Sequence, residues 1–152
     1  MGRWLAVLIV PLLFGCVSFD SFDGFRMSRE VRQSGTFFVE HQPNDSRRID
    51  HVIRGALKSH GLETSTSAGE THDYTVSYID NWAWDMRTYM IDFRVDVRDA
   101  KTNVLVGTAR SFQTSLSAMG HSYQEIVRKT IRALFYGAKA SEPRKRRQSR
   151  RR

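Results

Sequence analysis

The stretch MIDFRVDVR, residues 90–98, alternates almost without fault, with Ile91, Phe93, Val95 and Val97 on one side and Asp92, Arg94, Asp96 and Arg98 on the other. A period of two is that of a β-strand with one buried and one wet face. Such alternation belongs to an antiparallel sheet covered on one side only, because a strand buried on both faces reads as a continuous apolar run. The four charged residues alternate in sign, so they form a solvated face able to pair with neighbouring strands.

Just upstream, residues 74–84 place Tyr74, Val76, Tyr78, Trp82 and Trp84 on even positions, with Asp80 the exception. That predicts a partner strand, turning back near Asp85-Met86-Arg87. On the other side, Asp99-Ala100-Lys101-Thr102-Asn103 has turn chemistry, and a return strand runs from Val104 to about Gln113. Gly107 marks a bulge there, since the apolar phase slips between Val106 and Phe112. Upstream, residues 36–41 (TFFVEH) are β-prone and stopped by Pro43.

Two helices frame these strands. Ile49, Val52, Ile53, Ala56 and Leu57 recur at helical spacing after the N-cap candidates Asn44, Asp45 and Ser46, and Gly61 ends the pattern. Ser122 to Glu125 reads as a capping box opening a second helix, with Tyr123, Val127, Thr130, Ile131 and Leu134 on one face and Gly137 as its stop. Residues 62–71 are rich in Thr, Ser and Gly and read as a loop. The expected order is β-α-β-β-β-α. It implies an α+β two-layer sandwich, an antiparallel sheet with two amphipathic helices on one face, over residues 35–138.

Charge is distributed unevenly along the 152 residues. The formal net charge is +8, from 24 Lys and Arg against 16 Asp and Glu, but residues 144–152 (RKRRQSRRR) hold seven of the basic side chains and no acid. Residues 139–152 therefore read as a disordered basic tail on a nearly neutral body. By default the tail has no fixed partner. The competing expectation is that Arg144, Lys145, Arg146 and Arg147 contact an anionic surface.

The N-terminus supplies an address. Arg3 precedes an apolar run from Trp4 to Phe14, too short to cross a bilayer that needs about 20 apolar residues, and fitting a signal-peptide core. Leu13-Phe14-Gly15-Cys16 resembles the lipobox of bacterial lipoproteins. The resemblance implies cleavage after Gly15, removal of residues 1–15, and lipidation of Cys16. Val17, where Asp would favour inner-membrane retention, implies the outer membrane. Residues 16–34, with Phe19, Phe22 and Phe25 spaced by three, are expected to be a lipidated tether, part of which packs on the domain or the lipid surface. Since Cys16 is the chain's single cysteine, no internal disulfide is expected.

Chemistry is scarce. His41, His51, His60, His72 and His121 show no ligand spacing: His51 and His60, nine apart on one helix, are half a turn out of phase. Neither a metal site nor a cofactor is expected. His72-Asp73 could supply two members of a catalytic triad, but no Gly-x-Ser-x-Gly elbow accompanies them. No glycine-rich phosphate loop exists, and an exported chain is separated from nucleic acid. An enzyme is not expected.

The aromatic run Tyr78, Trp82, Trp84 and Tyr89 is the remaining candidate. Core packing under the helices is its default role. If Trp82 and Trp84 instead sit at the hairpin tip, they form an exposed patch suited to a partner protein or a lipid surface.

Over residues 36–136, Asp73-Tyr74 and Asp99-Ala100-Lys101-Thr102 resemble the strand entry and turn of small Gram-negative lipoproteins with uncharacterised α/β-sandwich domains. Val106-Gly107 departs from their pattern by lacking a Trp. The resemblance implies a fold and an envelope location, and carries over no catalytic residue. The expected function is that of a non-enzymatic outer-membrane lipoprotein acting as an envelope interaction or assembly factor. A lipid- or glycan-binding module is the alternative, and the oligomeric state stays open.

Overall fold

The computed structural model describes residues 20–137. Gly15, Cys16 and the basic cluster Arg144 to Arg147 lie outside the described residues. The elements are β1 (Asp20–Phe25), α1 (Arg29–Gln33), β2 (Thr36–Val39), α2 (Ile49–Ser59), β3 (Glu63–Ser65), β4 (Tyr74–Asp85), β5 (Arg87–Asp99), β6 (Leu105–Gln113), α3 (Ser115–Gly120) and α4 (Tyr123–Tyr136). Six strands form one sheet in the order β1-β6-β5-β4-β2-β3. The class is α+β, as the patterning predicts.

The core lies between the inner sheet face and the helical layer. Phe93, Val95 and Val97 of β5 are fully buried there, facing Ile53 and Leu57 of α2 and Val127, Ile131 and Leu134 of α4. Helix α4 begins as its capping box predicts: the Ser122 side chain accepts from the backbone N–H of Glu125 at 3.2 Å. Helix α2 ends near Gly61, which takes φ 82°.

The structure departs from the expected pattern in the pairing of β2, in β3 and in the phase of β5. The sheet is mixed, because β2 pairs parallel with both β4 and β3. Parallel neighbours need a crossover, and α2 provides it between β2 and β3. Strand β3 falls inside the expected 62–71 loop; only three residues long and with one buried side chain, it carries no alternation to recognise.

Of residues 16–34, the part expected to pack on the domain does so from Asp20 onward, as a strand and a short helix. Strand β1 pairs antiparallel with β6, from Asp20 opposite Gln113 to Phe25 opposite Thr108. Gly24 permits that approach: at φ 127° a Cβ would lie 2.2 Å from the Thr108 carbonyl oxygen. Met27, fully buried, donates its N–H to the Leu134 carbonyl at 2.9 Å, and Val31 of α1 adds to the core. Met27 also occupies the space above Gly107, whose absent Cβ would meet Met27 Cγ at 2.5 Å.

The phase of β5 slips at its N-terminal end. Opposite β4, Asn81 pairs with Asp92 but Trp82 pairs with Met90, leaving Ile91 as an extra residue. This bulge moves Ile91 off the fully buried row, and Met90 and Tyr89 are buried instead. A second irregularity pairs Val97 with Gly107 but Arg98 with Leu105, which puts the extra residue at Val106, beside the glycine expected to mark it.

The outer face carries the alternating charges of β5. Arg110 of β6 makes a two-point contact with Asp92, Nε to Oδ1 at 2.8 Å and Nη2 to Oδ2 at 2.7 Å. Arg94 pairs with Asp96 at 2.9 Å. The Arg110 hydrogen bonds hold the Asp92 carboxyl below the usual carboxylate range, against burial that pushes it up.

Candidate functional site

The two ends of β5 are built differently. At its C-terminal end, Asp99 Oδ1 accepts from the N–H of Lys101 at 3.1 Å and from the N–H and hydroxyl of Thr102, both at 2.8 Å. Asp73 completes this end. Its carboxylate accepts from the Thr36 N–H at 2.9 Å, its own N–H donates to the Thr36 carbonyl, and its carbonyl accepts from Ala100 N–H. The Asp-Tyr entry and Asp-x-x-Thr turn are thus structural groups. His72 beside them contacts the Glu70 carbonyl at 2.9 Å and the Thr75 hydroxyl at 3.3 Å, so the His72-Asp73 pair serves loop and strand contacts.

The N-terminal end of β5 presents an aromatic hairpin tip. Asp85 pairs directly with Arg87, leaving Met86 to turn the chain at φ 59° with its side chain in solvent at 94% exposure. Trp84 is 76% exposed. Trp82, two residues back, is half-buried at the edge of the core. The two tryptophans therefore divide between the two roles expected of them. They share a strand face, but α4 starts at Tyr123, which meets Trp82 edge-on at a centroid distance of 5.8 Å, and Trp84 lies beyond that cover.

Trp82 is held from several directions. Its Nε1 donates to Asp80 Oδ2 at 2.5 Å, and the Arg47 guanidinium sits 3.9 Å from its ring centroid. The Tyr123 hydroxyl donates to the Arg47 carbonyl at 3.2 Å, tying the loop before α2 to the start of α4. Beneath the tip lies a cavity of about 160 Å³, lined in part by Trp82, Arg87, Tyr89, His121 and Tyr123. Drug-sized ligands occupy roughly 300–1,000 Å³, so this cavity fits a side chain or a small headgroup better than a cofactor. Glu125 faces His121 at 3.1 Å and Lys129 at 3.0 Å, and the Lys129 contact holds its carboxyl below the ordinary value.

One group with metal-ligating side chains is found among the described residues: His41, Asp45 and Asp50. Sequence spacing missed it because its members lie on a loop and on the first turn of α2, at no helical period.

No protein-family model matches the chain, and no curated protein matches its sequence. Among solved structures, a PelC dodecamer from Paraburkholderia phytofirmans matches with TM-score 0.54 and 9% identity, over 76% of this chain and 94% of that one. A single-residue variant of the same dodecamer matches with TM-score 0.54 and 10% identity, over 76% and 93%. A minor lipoprotein from Acinetobacter baumannii is less similar, with TM-score 0.34 and 13% identity over 69% of this chain and 90% of that one. At these identities the likeness to PelC concerns the fold, and the chain is similar to PelC in its α+β architecture.

Proposed function

We propose that the chain is an outer-membrane lipoprotein, anchored through Cys16 after cleavage at Gly15, whose domain acts by binding another envelope component rather than by catalysis. The observation that carries this proposal is the exposure of Trp84 and Met86 at the β4–β5 tip. A soluble domain gains nothing in stability from a large aromatic held in water, whereas a partner surface gains the burial of both side chains, about 25 cal/mol per Å² of apolar area. The cavity behind the tip suits a protruding partner side chain.

A partner protein is favoured over a lipid surface because Trp82, Arg47 and Tyr123 form a rigid, shaped seat next to the tip. The PelC structures are dodecamers. Their shared architecture makes a further copy of this chain one kind of partner to test, with no interface residue carried over at such low identity.

A photocrosslinking residue placed at Trp84 in intact cells tests the proposal, with Val104, 58% exposed at the opposite end of the β5–β6 pair, as the control. A discrete protein adduct at Trp84 and none at Val104 is expected. Adducts with lipid alone favour the lipid- or glycan-binding alternative, and equal adducts at both positions contradict the proposal. Cys16→Ser is expected to release the protein from the membrane fraction; unchanged fractionation contradicts the anchor.

A further inference from the structure

The start of α2 contains a buried charge that the fold leaves half answered. Asp50 is 3% exposed, yet only one of its carboxylate oxygens accepts a hydrogen bond. Oδ2 accepts from Arg54 Nη2 at 2.5 Å and lies 3.7 Å from His51 Nε2. Oδ1 is buried without any hydrogen-bond partner. A buried carboxylate oxygen left unanswered is costly, because it has lost water and gained no donor in return.

What Oδ1 faces is His41. The His41 Nδ1 lies 3.6 Å from it, on the loop that leaves β2, and the His41 side chain is 56% exposed. A carboxylate oxygen of Asp45 completes a group whose three ligand atoms all lie within 4.8 Å of one another. Ligand atoms on a tetrahedral zinc ion, each about 2.0–2.2 Å from the metal, sit roughly 3.3–3.6 Å apart. The His41–Asp50 distance already matches that spacing.

We propose that His41 Nδ1, Asp45 and Asp50 Oδ1 form a binding site for a divalent cation of the zinc class. The imidazole selects for a transition metal, since calcium and magnesium prefer oxygen donors throughout. Of the two carboxylates, Asp50 alone contacts a guanidinium directly, that of Arg54, while the Arg48 guanidinium is turned to His51. The partial exposure of His41 gives a route for entry and leaves room for water as a further ligand.

Supporting contacts fix the carboxylates as metal sites require. The Tyr78 hydroxyl donates to Asp45 Oδ2 at 2.7 Å, and the N–H groups of Arg47 and Asp50 donate to Asp45 at 3.0 and 3.3 Å. Carboxylate oxygens have lone pairs to spare for a metal beyond these bonds. A bound ion joins the β2–α2 loop to the helix and answers the buried Oδ1.

The test is calorimetric titration of zinc chloride into the full chain, purified in detergent and stripped with chelator. His41→Ala, Asp45→Asn and Asp50→Asn are compared with His72→Ala, a histidine outside the group. A single micromolar site is expected, weakened by roughly tenfold or more in each of the first three variants and unchanged in the fourth. Zinc at about a hundred times its Kd raises the unfolding midpoint of the unaltered chain by roughly 10 °C. Since Asp50→Asn risks misfolding, His41→Ala, altered at an exposed side chain, decides alone if circular dichroism shows that loss. Absence of micromolar zinc binding, equal affinity in His41→Ala, or calcium binding as tight as zinc overturns the proposal.

Discussion

The two ends of β5 face opposite ways in their chemistry. At the Asp99 turn, polar groups are spent on the backbone: Asp99 holds Lys101 and Thr102, and Asp73 clamps the start of β2. At the Met86 turn, two large apolar side chains stand in water. A turn closed by its own side chains explains itself as structure. An apolar tip next to a rigid aromatic seat has no such explanation, and is therefore where a partner is to be sought.

The largest perturbation tests whether both ends depend on one core. Phe93→Ala empties a fully buried site midway along β5 and is expected to cost about 3–5 kcal/mol, lowering the denaturant midpoint and disabling the tip together with the fold. Partner capture at full strength in a chain so destabilised would separate the tip from the fold. Asp73→Ala removes the acceptor of the Thr36 N–H and is expected to cost about 1–2 kcal/mol in denaturant unfolding, while leaving partner capture at Trp84 intact. A loss of capture without loss of stability would reverse the roles assigned to the two ends.

Trp82→Phe deletes the bond to Asp80 and weakens the Arg47 stacking, for an expected loss of about 1 kcal/mol together with weaker capture. On the outer face, the Asp92 carboxyl ionises below its ordinary value when folded, so the stability it contributes is complete above about pH 4 and is lost as pH falls through the folded value. Asp92→Asn should accordingly flatten the acid limb of a pH-stability curve by up to about 1 kcal/mol and leave the neutral region's slope unchanged. The smallest effect on stability belongs to Trp84→Ala, expected within about 0.5 kcal/mol of the unaltered chain even as capture disappears.

Much of this architecture is legible in the residues themselves. The alternation over residues 90–98, the capping box at Ser122 and the stripe from Ile49 to Leu57 each reflect a local physical period, and β5, α4 and α2 follow. Strand β1 escaped because its phenylalanines recur by three, and because an edge strand paired through its backbone needs no apolar pattern. The parallel pairing of β2 is a long-range choice that no local period encodes. The bulge at Ile91 is equally silent, since a faultless alternation continues through a residue that the partner strand skips.

The functional features divide in the same way. Trp82 and Trp84 are conspicuous as residues, but their separate fates depend on where α4 starts to cover the sheet. His41, Asp45 and Asp50 come together only when the loop after β2 folds back onto the first turn of α2. The buried Oδ1 without a hydrogen-bond donor that singles them out is a property of packing and has no trace in the sequence.

If a partner docks on the aromatic tip, the Met86 end is covered in the envelope and the opposite end is not. Met86→Cys and Val104→Cys, each introduced singly into a chain whose one native cysteine is Cys16, can be labelled with a soluble maleimide in isolated envelopes and in the purified protein. Protection of position 86 in envelopes, with free labelling of both positions after purification and of position 104 throughout, is the predicted result. Equal labelling of the two positions in envelopes would contradict it.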